Sequence, residues 1–226
     1  MRFVTVSTVP LGESSSLRRS CDRYGIDLRV LGVGCRHHPD YMYKLRLVQE
    51  HLPQLDDQEP LLYTDGWDTF FCASPDEIIA KFHEFDCPVV FSAEKGLWPP
   101  VVQHHPIPYP EAPTAYRYLN AGGFMGIAGQ LRAILEAADP LDRYEMDQHL
   151  WSDCYLRHPG AMVLDHRCSI FQTLFDPALP DNTVTPELAW EDGRWHNAAT
   201  GTRPCVVHGN GSFNEAVNQM FEKMTP

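Results

Sequence analysis

Two aspartates three residues apart follow a run that reads as a buried strand: Leu61-Leu62-Tyr63-Thr64 leads directly into Asp65-Gly66-Trp67-Asp68. In open α/β sheets, ligands bind outside the carboxyl ends of the strands, which places both carboxylates where chemistry is done. Carboxylate oxygens are hard donors, and a divalent cation held by Asp65 and Asp68 would keep open positions for phosphate oxygens. Trp67, between them, offers a flat face to a base or a sugar. The same spacing also fits an ordinary Asp-Gly turn in which Asp68 caps the next element, and the pattern alone does not separate the two. A third donor, His208, follows another apolar run, Val206-Val207. The neighbouring Gly209 and Gly211 would let backbone N–H groups approach a diphosphate closely. An imidazole with two carboxylates suits Mn²⁺, and Mg²⁺, Fe²⁺ or Co²⁺ also satisfy such a donor set.

Asn120-Ala121-Gly122-Gly123 is a second Gly-rich segment, read as a turn entering a strand; this is neither a dinucleotide fingerprint nor a P-loop, and it suits the wall of a sugar pocket. Asp147, in Glu145-Met146-Asp147-Gln148, opens a helical pattern, where an acid serves equally as a cap, a partner of the macrodipole or a catalytic group. No Gly-x-Ser-x-Gly elbow occurs, which weakens an α/β-hydrolase reading. The pairs His37-His38 and His104-His105 lie in loop-like sequence and read as solvated.

The elements that must position these groups alternate. Short β-rich runs at 3–8, 28–31, 61–64 and 88–92 are interleaved with helical patterns at 14–24, 41–52 and 75–82, which predicts βαβ units and a mostly parallel sheet. Six prolines between Lys95 and Arg117 forbid regular structure across much of that segment and predict a long loop, of the kind that carries binding residues. Beyond it the sequence predicts a strand over 122–128, helices over 130–138 and 145–156, and apolar strands near 162–164 and 170–174. An Asp192-Gly193 hairpin, a last strand at 205–207 and a helix over 214–223 complete the pattern.

Length and charge narrow the classes. A chain of 226 residues fits one α/β domain, and 43% hydrophobic with 21% charged residues excludes a disordered chain. The net charge of −12 opposes nucleic-acid binding. No apolar run is long enough to span a bilayer, and the opening Arg2-Phe3-Val4-Thr5-Val6 reads as a strand rather than a signal peptide, so the expected location is cytoplasmic. Seven scattered cysteines without a CxxC read as reduced core thiols.

Nine segments in order resemble the glycosyltransferase domain of the procollagen lysyl hydroxylase and collagen glucosyltransferase family. They are Val4-Thr5-Val6-Ser7-Thr8, Lys44-Leu45-Arg46-Leu47, Thr64-Asp65-Gly66-Trp67-Asp68, Ser92-Ala93-Glu94 with Trp98-Pro99, and Tyr118-Leu119-Asn120-Ala121-Gly122-Gly123-Phe124. Asp147-Gln148, Leu164-Asp165-His166-Arg167-Cys168, Ile170-Phe171-Gln172 and His208-Gly209-Asn210-Gly211 follow. The resemblance implies a single α/β domain of GT-A (Rossmann-like) type, with a nucleotide-binding half over about 1–92 and an acceptor and sugar half over 93–226. It also implies an enzyme that moves glucose or galactose from a UDP-sugar to an acceptor hydroxyl on a hydroxylated peptide or a glycan. Asp65, Asp68 and His208 fall at the family's metal positions, with Mn²⁺ as the implied ion and Mg²⁺ as its substitute. Thr8 and Trp67 fall near the uridine, Lys44, Gly209, Asn210 and Gly211 near the diphosphate and sugar, and Trp98 and Asp147 around the sugar and acceptor. Asn120 belongs to the Gly-rich segment, where Ala121 replaces the family's serine. The chain carries no hydroxylase region, so no lysine hydroxylation is expected of it. A UDP-sugar hydrolase or phosphodiesterase and a non-catalytic nucleotide-sugar binding module are the competing readings.

Overall fold

The structure is a computed structural model describing residues 1–36, 41–138, 140–180, 183–211 and 213–224. The His37-His38 pair lies outside the described residues. In chain order the elements are β1 (Arg2–Val6), α1 (Ser16–Tyr24), β2 (Leu28–Leu31), α2 (Tyr43–His51), β3 (Pro60–Thr64), β4 (Thr69–Phe71), α3 (Pro75–Phe82), β5 (Val89–Glu94) and β6 (Tyr118–Ile127). There follow α4 (Ala128–Ala138), α5 (Asp147–Arg157), β7 (Val163–Asp165), β8 (Phe171–Thr173), β9 (Leu188–Glu191), β10 (Arg194–Asn197), β11 (Val206–His208) and α6 (Asn214–Met224).

Local chemistry sets the boundaries. The Ser15 hydroxyl accepts from the Arg18 N–H at the start of α1, and Gly25, at φ 65°, closes the helix in the left-handed conformation. Ser74 caps α3 in the same way, with Pro75 in the first turn and Asp76 and Glu77 against the positive end of the dipole. Every residue of β5 is buried, as expected of a strand covered on both faces.

The main sheet has the order β2-β1-β3-β6-β5-β7. Five strands run one way; β6 opposes its neighbours β3 and β5. Leu45 and Val48 of α2, Leu131 and Leu135 of α4, and Leu150 and Trp151 of α5 pack in one core cluster. Leu17 and Cys21 of α1 with Ile78 and Phe82 of α3 pack in a second. A smaller sheet, β4-β11-β8, packs Phe70 and Val207 on Val217 and Phe221 of α6. The mostly parallel α/β architecture read from the sequence is therefore present.

Three local expectations change. The Gly-rich segment 120–123 is not a turn before a strand but an irregularity inside β6, which begins at Tyr118. Phe91 pairs with Phe124 while Ser92 pairs with Asn120, so Ala121, Gly122 and Gly123 leave the β5 ladder. Gly123 stays paired with Thr64 of β3, and the Asp65 N–H donates to the Gly122 carbonyl at 2.9 Å. Second, His105 is not solvated: its side chain is 7% exposed and its Nε2 lies 2.9 Å from Asp153 Oδ1, pinning the Pro-rich loop to α5. His104 is exposed, as expected. Third, the strand β4 directly after Asp68 has no counterpart in the sequence reading. The Asp192-Gly193 turn forms as expected, with φ of 50° and 75° joining β9 to β10. All seven cysteines are free and five are buried. Among the described residues, no helix is long and apolar enough to cross a membrane.

Candidate active site

The exit of β3, the entry to β4 and the exit of β11 meet at one point. Asp65 follows the last residue of β3, Asp68 precedes the first of β4, and His208 ends β11, paired in register with Thr69. His208 Nε2 lies 3.4 Å from Asp68 Oδ2 and 3.8 Å from Asp65 Oδ2. One donor atom from each of the three residues can be chosen so that all lie within 4.8 Å of one another. The Gly209 N–H donates to the Asp68 carbonyl at 2.7 Å, which fixes the two chain segments together.

The imidazole is oriented from behind. Asn120 Oδ1 accepts from the Gly122 N–H at 3.1 Å and stands 3.0 Å from His208 Nδ1. A carbonyl there places the proton on Nδ1 and turns the Nε2 lone pair toward the aspartates, which is how metal-binding histidines are usually held. Gly122 leaves the room: a Cβ built on it would lie 2.0 Å from His208 Cε1 and 2.9 Å from Asp65 Oδ2. Two carboxylates, an oriented imidazole and a cradle without a side chain fit a divalent cation of the Mn²⁺ or Mg²⁺ kind.

A chain of charges extends from this point. Lys44, in the first turn of α2, places Nζ 3.1 Å from Asp65 Oδ1 and 2.9 Å from Asp147 Oδ2, and the Tyr63 hydroxyl donates to Asp65 at 2.6 Å. Burial works against the Lys44 charge, but Asp147 and Asp65 outweigh it and hold the ammonium well above its usual range. Burial likewise opposes ionisation of Asp65, yet Lys44 and then His208 prevail and lower its pKa. For His208, burial disfavours the imidazolium, and Asp68 followed by Asp65 overcomes it, so its pKa is raised. Burial raises Asp147, with Lys44 pulling the other way.

Lys44, Asp65, Asp68, Asp147 and His208 line a cleft of about 480 Å³ that also contains Glu94, Trp98, Gln148, Phe175, Asn210 and Gly211. Glu94, at the end of β5, accepts from Gln148 Nε2 at 2.7 Å and from Asn210 Nδ2 at 2.6 Å. Burial pushes its carboxyl up to about 7 against these amide contacts. Gln148 also donates to the Trp98 carbonyl at 2.9 Å, and Asn210 Oδ1 accepts from the Leu174 and Phe175 N–H groups. The Trp98 side chain stands 55% exposed at the rim.

Of the site residues named from the sequence, the structure brings together Lys44, Asp65, Asp68, Trp98, Asn120, Asp147, His208, Asn210 and Gly211 around this cleft. Thr8, Trp67 and Gly209 do not line it. The Thr8 carbonyl accepts from the Gly34 N–H, and Trp67 points outward, 55% exposed. The N–H of Gly209 is engaged by Asp68, so the expected approach to a diphosphate is not open to it. Its lack of a Cβ answers instead to Val217 and Phe213, which would lie 2.6 and 2.9 Å from one. Glu94 and Gln148 stand in the sequence only as parts of longer motifs; the signal for Glu94, an acid ending a mostly apolar strand, is the same as that for Asp65.

The family model described as the PLOD GT domain matches residues 1–224. Procollagen-lysine,2-oxoglutarate 5-dioxygenase 1 of Rattus norvegicus is 34% identical over 230 residues, covering 96% of this chain and 31% of that protein. The multifunctional procollagen lysine hydroxylase and glycosyltransferase LH3 of Homo sapiens is 29% identical over 229 residues, covering 96% and 30%. The chain thus spans about a third of the length of these relatives. A crystal structure of a glycosyltransferase involved in the glycosylation of the major capsid of PBCV-1 superposes with a TM-score of 0.54 at 12% identity, covering 98% of each chain, a likeness of fold. With the family model matched across almost every residue and the relatives aligned over nearly the same span, the chain belongs to the PLOD GT domain family of GT-A glycosyltransferase domains.

Proposed function

We propose that this domain transfers a hexose, glucose or galactose, from a UDP-sugar to an acceptor hydroxyl, with a divalent cation, Mn²⁺ in the first instance, bound by Asp65, Asp68 and His208. The observation that carries the reading is the convergence of two carboxylates and an Asn120-oriented imidazole from three strand ends at a cradle that only glycine leaves open. Bound there, a divalent cation supplies neutralisation of the charge that builds on a departing diphosphate. The protein's own groups have complementary tasks. Lys44, held cationic by Asp65 and Asp147, donates to a phosphate oxygen. Asp147 takes the acceptor proton or steadies positive charge at the anomeric carbon. Gly211, at φ 96°, turns the backbone at the cleft wall, and Trp98 offers a ring face to a sugar at the rim. The name of the human relative LH3, which joins procollagen lysine hydroxylation to glycosyl transfer, favours a hydroxylated peptide as acceptor over a glycan.

The test is calorimetric titration of UDP with and without Mn²⁺, followed by mass analysis of products from UDP-glucose and UDP-galactose with hydroxylated peptides. Metal-dependent UDP binding is expected, lost in Asp68→Asn and His208→Ala, together with acceptor-dependent UDP release and a new glycoside. Wild-type binding by both variants would dismiss the metal site. UDP release with free sugar and no glycoside would make the protein a UDP-sugar hydrolase, UMP release a phosphodiesterase, and binding without any release a binding module.

A further inference from the structure

The opposite, amino-terminal edge of the main sheet holds a second cleft, of about 510 Å³, within the roughly 300–1,000 Å³ range of small-molecule sites. Its polar lining comes from Arg2 at the start of β1, Asp27 and Arg29 at the start of β2, and His51 and Gln54 at the end of α2 and just beyond it. His51 is 3% exposed, and neither of its ring nitrogens makes a well-aligned hydrogen bond, although the Gln54 side chain lies close to the ring. A buried polar group left so is costly and points to a missing ligand. Burial and then the neighbouring Arg29 lower its proton affinity, against a smaller opposite pull from Gln54, so the ring is neutral, with one nitrogen to donate and one to accept.

The charges around it balance. Arg2 is paired with Glu59 at 2.8 Å, while Arg29 and Asp27, both exposed, have no ion-pair partner among the described residues and offer one donor and one acceptor group. The last turn of α2 presents its negative dipole end, which disfavours an anion. Hydroxyl groups each give and take a hydrogen bond, and this lining supplies both donors and acceptors. We infer that the cleft between β1, β2 and the end of α2 is a binding site for a neutral polyhydroxyl ligand, a sugar unit, with His51 as its buried contact. The site is separate from the aspartate cleft, and its existence does not depend on the activity proposed there.

The test follows the His51 ring nitrogens by NMR in the ¹⁵N-labelled chain during separate titrations with methyl α-glucoside, maltotriose and inorganic phosphate. Saturable His51 shifts with the glucoside are expected, weakened at least about tenfold in the Asp27→Ala/Arg29→Ala variant, which removes two hydrogen-bonding partners from exposed positions. The thermal-unfolding midpoint and the amide spectrum of that variant serve as the control for folding and are expected to be unchanged. Tighter binding of maltotriose than of the glucoside assigns the site to a glycan; equal binding assigns it to a free sugar. A His51 signal that no sugar moves, one that phosphate alone moves, or undiminished sugar binding by the variant would overturn the inference.

Discussion

Replacing Gly122 by alanine tests the site without substituting a single candidate ligand. The added methyl would stand 2.0 Å from Cε1 and 2.7 Å from Nδ1 of His208, and 2.9 Å from Oδ2 of Asp65. Ordinary contact begins near 3.4 Å, so the imidazole must retreat by about 1.4 Å or the β6 backbone must move by as much. Metal–ligand distances tolerate roughly 0.2 Å, and the loss of even an outer partner of a ligand costs about 10–100-fold in affinity, so displacement of His208 itself is expected to weaken Mn²⁺ by at least about 100-fold. Overpacking should also destabilise the fold by about 2 kcal/mol, which for a chain of this size is roughly 4–8 °C in Tm. Gly123→Ala supplies the comparison, since its methyl would meet the Phe171 ring at 2.8 Å instead of the imidazole. Calorimetry of UDP with Mn²⁺ and thermal unfolding should show similar destabilisation in both variants and loss of metal-dependent binding in Gly122→Ala alone. Unchanged Mn²⁺-dependent UDP binding in a folded Gly122→Ala protein would refute the reasoning.

Glu94→Gln should destabilise the domain by roughly 1–3 kcal/mol in urea unfolding at pH 8. The new amide turns an NH₂ toward Gln148 or Asn210, and neither can flip without surrendering the N–H of Ala121 or those of Leu174 and Phe175. The raised pKa of His208 gives stability that is complete below its unfolded value of 6.5 and is lost as pH rises through the higher folded value. Proton and cation compete for the same nitrogen, so Mn²⁺ affinity should fall about tenfold per pH unit below that folded value, and the Mn²⁺-induced rise in Tm should grow between pH 6 and 8. A pH-independent rise would remove His208 from the ligand set. Asp147→Asn should leave UDP binding within a few-fold of wild type and lower turnover by about 100-fold or more, as measured by UDP release; unchanged turnover would exclude it from the chemistry.

What the sequence made legible was local. Helix α3 carries its own cap, proline and acidic first turn, and its predicted span, 75–82, matches Pro75–Phe82. The Asp192-Gly193 hairpin is equally self-declared, because its turn demands left-handed residues. Asp65, Asp68 and His208 stood out for the same kind of reason: each adjoins a short apolar run with glycine close by. What was hidden depends on partners far along the chain. β4 is three residues long and exists because β11 pairs with it. The bulge in β6 exists because that strand serves two neighbours at once, and nothing in Ala121-Gly122-Gly123 says which. Gly209 shows the limit most clearly: a glycine beside a histidine suggests anion contact, whereas its N–H belongs to Asp68 and its missing side chain to α6.

The three candidate donors are not divided evenly between the two sheets. Asp68 and His208 are clasped by the β4–β11 ladder, so their mutual spacing is written into backbone pairing, while Asp65 hangs from the tail of the larger sheet. An ion seated among them would act as a rivet across that seam. Its radius would then be gauged by how closely the sheets approach, and stripping it with a chelator should loosen the hinge at 65–68, seen as faster amide exchange there than in the flanking strands.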